Sequence, residues 1–183
     1  EIRPFTETIG AYQDFLSDVD VIAAKAKYAN KINGILPNII EEKRMFFREA
    51  FHPILLLNNK AENKPTFPQT IELESKNRII VISGPNAGGK SITLKTIGLL
   101  QVMLQSGLLV PVDPRSTMSF FHSVLTDIGD NQSIENQLST YSYRLKRMKF
   151  FLEQCHKRTL ILLDEFGAGL WLAIVNTFTY ILC

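Results

Sequence analysis

Cysteine is scarce in this 183-residue sequence: Cys155 and Cys183 are the only two, and nothing in their spacing makes them a pair. That excludes a disulfide framework, and with His52, His122 and His156 far apart in sequence it also argues against a metal cluster. Such usage fits a reducing compartment, so the chain is expected to be cytoplasmic. An excess of one charge is missing too: 20 Lys and Arg stand against 18 Asp and Glu, so bulk charge says nothing for a nucleic-acid role. No signal peptide opens the chain. The last stretch, Leu170 to Cys183, carries no charge, but it is too short to span a bilayer and includes Asn176, Thr177 and Thr179. It is read as a buried strand or helix, and no membrane partner is expected.

What is present is ordinary globular material, 45% apolar and 21% charged, enough for one domain with a core. The chain opens on Glu1-Ile2-Arg3-Pro4 without methionine and is expected to be part of something longer. A long helix comes first, with Thr6 or Thr8 as its cap and a stop at Asn33-Gly34 before Pro37. Tyr12, Phe15, Leu16, Val19, Ile22, Ala23, Ala26 and Ala29 make one apolar stripe along it. Two readings stand: a core helix, or a lever leading to a domain outside this chain. Residues 58–68 form a polar connector with strands expected on either side. Arg78–Ile82 is a β-branched run, as in a strand buried on both faces. A helix over Lys90–Ser106, weaker strands at Val110–Val112 and Ser119–Leu125, a helix over Thr140–Cys155 and a buried strand at Thr159–Leu163 follow. The second helix should bury Tyr141, Leu145, Met148, Leu152 and Cys155. Strands alternating with helices predict an α/β sheet with ligands at the strand carboxyl ends.

Gly84-Pro85-Asn86-Ala87-Gly88-Gly89-Lys90-Ser91 matches G-x-x-x-x-G-K-[ST] in full, directly after a buried strand and directly before a helix. Its glycines let the backbone wrap an anion with N–H groups, and the helix terminus adds its dipole. Lys90 would reach the β- and γ-phosphates of ATP, and the Ser91 hydroxyl would sit on Mg²⁺. The run Leu160-Ile161-Leu162-Leu163-Asp164-Glu165 delivers two carboxylates to the top of a buried strand. Asp164 would hold Mg²⁺ through the second shell, and Glu165 would polarise the attacking water. A glutamate in that place favours hydrolysis over transfer to a substrate.

These residues resemble the ATPase core of MutS-type proteins, in which Gly-Pro-Asn and Gly-Gly-Lys-Ser are characteristic. Leu94-Lys95-Thr96-Ile97-Gly98-Leu99-Leu100, Gln105-Ser106-Gly107-Leu108 and Asp127-Ile128-Gly129-Asp130-Asn131-Gln132-Ser133-Ile134-Glu135 look like the second bacterial branch of that family. So does Asp164-Glu165-Phe166-Gly167-Ala168-Gly169. The likeness covers residues 9 to 169. It implies an ABC-ATPase-like P-loop fold that dimerises around ATP, as part of a clamp on branched or mismatched DNA or on ribosomes. It implies a helical lever over 1–50 and a P-loop ATPase domain over 51–183. Ser139 and Thr140 resemble the signature segment that reaches the γ-phosphate of the partner subunit, although a plain helix cap accounts equally well for either alone. Phe67 falls where the family places residues beside adenine, and packing is the alternative. Arg144, Lys146, Arg147 and Lys149 are read as a solvated basic face. After Gly169 the chain departs from the family, with Leu170-Trp171-Leu172 where a small polar residue, an acid and a proline are expected. Two other functions fit the motifs: a kinase-like phosphotransferase, which would need an arginine-rich lid not seen between them, and a non-catalytic nucleotide-binding scaffold.

Overall fold

The run Thr-Leu-Ile-Leu-Leu forms strand β7 (Thr159–Leu163), over the expected span and buried along its whole length. Its two faces enter different cores. Leu160 and Leu162 join the main cluster with Leu94, Ile97 and Leu100 of helix α3 (Lys90–Gln105). Ile161 and Leu163 pack with Phe151 and Met148 of helix α4 (Gln137–Gln154) and with Leu125. A strand covered on both sides has no wet face, hence its unbroken apolar sequence. The computed structural model describes residues 3–42, 44–74, 78–84, 89–128, 137–156, 158–164 and 178–182.

β7 belongs to a four-stranded sheet of order β4-β8-β7-β6, with β4 at Ile79–Ser83, β6 at Ser123–Asp127 and β8 at Phe178–Leu182. β6 and β7 are parallel, and β8 runs antiparallel to both β7 and β4. It follows that β4, β6 and β7 all point the same way and bring their carboxyl ends to one edge. The tail therefore supplies a strand between the two that carry the site motifs. A second sheet has the order β1-β5-β2-β3, from β1 (Asn38–Ile40), β5 (Thr117–Ser119), β2 (Met45–Ala50) and β3 (Gln69–Leu73). Met45, Phe47 and Leu73 from this sheet share the main cluster with α3 and with Leu160 and Leu162. The architecture is α/β, with mixed pairing and four α-helices among the described residues.

Helix α1 (Thr6–Ile32) ends where the sequence predicts: Asn33 adopts a left-handed conformation (φ 51°), and Gly34 N–H reaches the Ala29 carbonyl at 2.8 Å. Its start differs, because Phe5, at the end of a short 3-10 turn, holds the N-cap position without a side-chain bond. The apolar stripe is not core. Tyr12, Phe15, Leu16, Val19 and Ile22 are 45–66% exposed, and only Ala29 and Ile32 are buried.

Other expectations are corrected. Residues 58–61 are not connector but the end of helix α2 (Pro53–Ala61), which has Pro53 in its first turn and the His52 side chain accepting from Leu55 N–H. An apolar run as short as Ile54–Leu57 does not distinguish helix from strand. β4 is not covered on both faces: Ile80 and Ile82 pack against the main core while Ile79 and Val81 are 58% and 47% exposed. α4 buries Phe151 rather than Leu152, which is 80% exposed, and Cys155 is exposed beyond the helix end. With Phe150-Phe151-Leu152 in a row, periodicity could not set the phase; the side chains of Tyr141 and Leu145 lie outside the described residues. Val110–Val112 reduces to one bridge, Val110 with Ile35, and Ser119–Leu125 is split between β5 and β6.

Candidate functional site

The phosphate-loop motif sits where β4 gives way to α3. Gly89 occupies the N-cap of α3 with φ 79°, a left-handed conformation that a side chain would strain. Lys90 follows as the first helical residue and is only 7% exposed. Its Nζ donates to the Gly84 carbonyl at 2.5 Å, drawing the two ends of the loop together. Thr93 anchors the first turn: its N–H and its hydroxyl both reach the Gly89 carbonyl at 3.0 Å, and the hydroxyl meets Gln69 Oε1 of β3 at 3.2 Å. Ser91 is exposed at that end of the helix. Pro85, Asn86, Ala87 and Gly88 lie outside the described residues.

The sheet brings a second element to the same edge. Leu163 and Val81 both pair with Tyr180, and Asp127 pairs with Leu163, so Asp127 and Asp164 leave the sheet at adjoining levels while Gly84, three residues past Val81, lies farther out at the same edge. β4 and β7 stand two strand spacings apart, about 10 Å. Asp164 is half-buried, and its N–H donates to the Asp127 carbonyl at 2.9 Å. Glu165 lies outside the described residues. Gly98 sets how closely α3 approaches β7: a Cβ there would lie 2.7 Å from Leu162 Cδ1.

The remaining sequence candidates are distributed as follows. Phe67 is 77% exposed in the stretch between α2 and β3, so packing does not account for its ring. Ser139 and Thr140 fall in the first turn of α4, inside the helix rather than ahead of it; their side chains lie outside the described residues. Of the expected basic face, Lys146 and Lys149 are exposed. Arg147 is only partly exposed and has partners. Its Nη2 donates to the Thr126 carbonyl at 2.6 Å, its Nε lies 3.3 Å from Asp127 Oδ1, and its guanidinium covers the Phe151 ring at 5.3 Å. The sequence signal for it was an acid ending a strand pattern, Asp127, and an arginine on the following helix; neither is specific alone.

The electrostatics near this edge involve His52, whose pKa is lowered by burial and then by the nearby Lys95 of α3. Elsewhere, the Arg115 fork hydrogen-bonds Asp113 at 2.8 Å and holds that carboxyl well below the usual carboxylate range. Among the described residues no three His, Cys, Asp or Glu side chains group to hold a metal ion, and no helix is long and apolar enough to cross a membrane.

Comparison with known proteins supplies the family. The model of MutS domain V matches residues 80–173, just over half of the 183. The chain is similar to the Endonuclease MutS2 of Staphylococcus saprophyticus, 42% identical over 157 residues that cover 86% of this chain and 19% of that protein. It is 41% identical to the Endonuclease MutS2 of Finegoldia magna over 182 residues, covering 95% of this chain and 22% of that one. The Endonuclease MutS2 of Pediococcus pentosaceus is 39% identical over 168 residues, 92% and 21% of the two chains. The chain thus spans about a fifth of the length of these relatives. A domain V match that begins inside β4 and takes in the phosphate loop, α3, α4 and Asp164 shows that the chain belongs to the MutS family.

Proposed function

We propose that this chain is the ATP-binding core of a MutS-family protein of the second bacterial branch, with a P-loop fold of the ABC-ATPase kind, and that it hydrolyses ATP in the intact protein. The observation that carries the reading is the edge itself, where the loop from β4 to the buried Lys90 at the start of α3 opens at the same end of the sheet as Asp164. The residues fit the nucleotide. Lys90 has its ammonium on a neutral carbonyl, an arrangement that improves if a phosphate oxygen takes the place of that carbonyl. They also fit Mg²⁺, because the Ser91 hydroxyl can bind the ion and the Asp164 carboxylate can hold it through water, and Mg²⁺ sites usually draw the remaining oxygens from water and phosphate.

Bound Mg-ATP supplies the transferable phosphoryl group with part of its charge neutralised. The chain's own residues then do the rest. Backbone N–H groups between Gly84 and Lys90, Pro85 excepted, would cradle the anion, Lys90 would orient its outer phosphates, and Ser91 directly and Asp164 through water would hold the cation. Glu165, one residue past Asp164, accepts a proton from the attacking water. The exposed ring of Phe67 stacks on the base. Residues 1–50 serve as a lever and 51–183 as the ATPase domain, although β2 places part of the first segment in the same sheet as β3 and β5. In a homodimer, Ser139 and Thr140 complete the partner's site, and the intact protein couples turnover to a clamp on branched or mismatched DNA, or on a ribosome, in the cytoplasm.

The experiment is equilibrium titration of the chain with a fluorescent ATP analogue, with and without Mg²⁺, beside steady-state turnover. Glu165→Gln in the intact protein should bind ATP normally and turn over ~10²-fold more slowly, the usual scale for a positioned general base. No nucleotide binding by the folded chain would leave the loop a structural turn and refute the reading.

A further inference from the structure

Helix α4 is already held to the sheet by apolar contacts, Phe151 and Met148 against Ile161, Leu163 and Leu125. Packing alone needs no charge in that seam, yet Arg147 is set into it. Its guanidinium reaches two consecutive residues at the carboxyl end of β6: Nη2 donates to the Thr126 carbonyl at 2.6 Å, and Nε lies 3.3 Å from the Asp127 carboxylate as an ion pair rather than a hydrogen bond, with the flat face over Phe151. The planar fork of arginine can hold a carbonyl, a carboxylate and an aromatic ring at once, which a lysine cannot. Lys149, two residues on, meets Glu153 of its own helix at 3.8 Å and is solvated. Asp127 is also the strand neighbour of the site, since its carbonyl accepts the Asp164 N–H at 2.9 Å. An unbroken chain of contacts therefore runs from Asp164 through Asp127 and Arg147 into the middle of α4.

We propose that Arg147 is a positioning residue that couples α4 to the phosphate-binding edge, so that ligand-induced settling of the β6–β7 edge is passed through Asp127 to α4. The inference rests on the nucleotide reading given above. Its physical content is an arm of charge-assisted contacts on one strand end, beside a small apolar seam that by itself lets the helix slide or tilt. With the arm intact, α4 follows Asp127; without it, α4 keeps its packing and loses the connection.

The test is amide hydrogen exchange on the full chain, with and without a slowly hydrolysed ATP analogue and Mg²⁺, in wild type, Arg147→Met, Arg147→Lys and Asp127→Asn. In wild type the analogue should slow exchange both in the first turns of α3 and along α4. In Arg147→Met and Asp127→Asn it should still slow α3; in Arg147→Met the slowing in α4 shrinks ~10-fold or more, the scale of losing a hydrogen bond from a charged group, and in Asp127→Asn, which removes a one-third exposed ion pair, by up to ~5-fold. Arg147→Lys, which keeps the charge but not the fork, should fall between. A purely structural role predicts something else: faster exchange in α4 with and without the analogue and an undiminished ligand-induced change. That result overturns the proposal, as does a wild-type α4 that ignores the analogue while α3 responds. If the analogue leaves α3 unchanged as well, the nucleotide reading itself has failed and takes the proposal with it.

Discussion

Replacing Lys90 with alanine separates two roles of one side chain. Without ligand, Lys90 is 7% exposed and its ammonium donates to the Gly84 carbonyl at 2.5 Å. The substitution removes three buried methylenes, about 2–2.5 kcal/mol at ~0.8 kcal/mol each. It also removes a hydrogen bond from a charged donor, ~1.5–3 kcal/mol. Against this, a buried ammonium costs several kcal/mol of desolvation, which alanine does not incur. Terms of similar size and opposite sign leave the fold within about 2 kcal/mol of wild type, a melting shift of a few °C at ~2–4 °C per kcal/mol for a chain of this size. Nucleotide affinity has no such cancellation. Contacts to two phosphate groups at ~1.5–3 kcal/mol each predict at least ~10²-fold weaker binding. Titration with a fluorescent ATP analogue reads the second quantity and a circular-dichroism melt the first. An alanine variant that melts like wild type and binds within about threefold of it, a difference below ~0.7 kcal/mol, would refute the assignment of Lys90 to the phosphates.

Gly98→Ala places a methyl 2.7 Å from Leu162 Cδ1 in the main core and should cost about 1–3 kcal/mol by overpacking, with part recovered by adding Leu162→Val. Thermal melts of the single and double variants decide it, and no recovery would mean that the contact does not limit the helix's approach. His52 links stability to pH: its folded pKa lies below the ordinary value, so stability is fully present above about 6.5 and declines as the pH falls from there towards the lowered value. His52→Asn, which retains a capping acceptor worth ~0.5–2 kcal/mol, should flatten that decline in melts between pH 7.5 and 5.5, and an unchanged slope would assign it to other groups. Removing residues 178–183 should unfold or aggregate the chain, because β8 is the strand partner of β4 among the described residues and its loss bares the facing edges of β4 and β7. A soluble monomer with an unchanged melt would contradict the pairing.

Where a local rule sufficed, the sequence was legible. Asn33-Gly34 marks the end of α1, because a left-handed residue after a helix favours asparagine or glycine. The run Thr159–Leu163 reads as a strand because five such residues fit a segment buried on both faces, although the similar run in β4 has one face exposed. The glycine-rich motif marks the start of α3, since Gly89 can take the left-handed conformation that its N-cap position has. Tertiary structure decided what depends on partners distant in sequence. It determined that the exposed stripe of α1 finds no cover among the described residues, and that Phe151 rather than Leu152 enters the core. It brought Arg147 of α4 beside Asp127 at the end of β6, a neighbour that helix periodicity cannot see. Above all it set β8 between β4 and β7, antiparallel to both. Strand order and direction are settled by competition among all available edges for backbone hydrogen bonds, and no single segment carries that information.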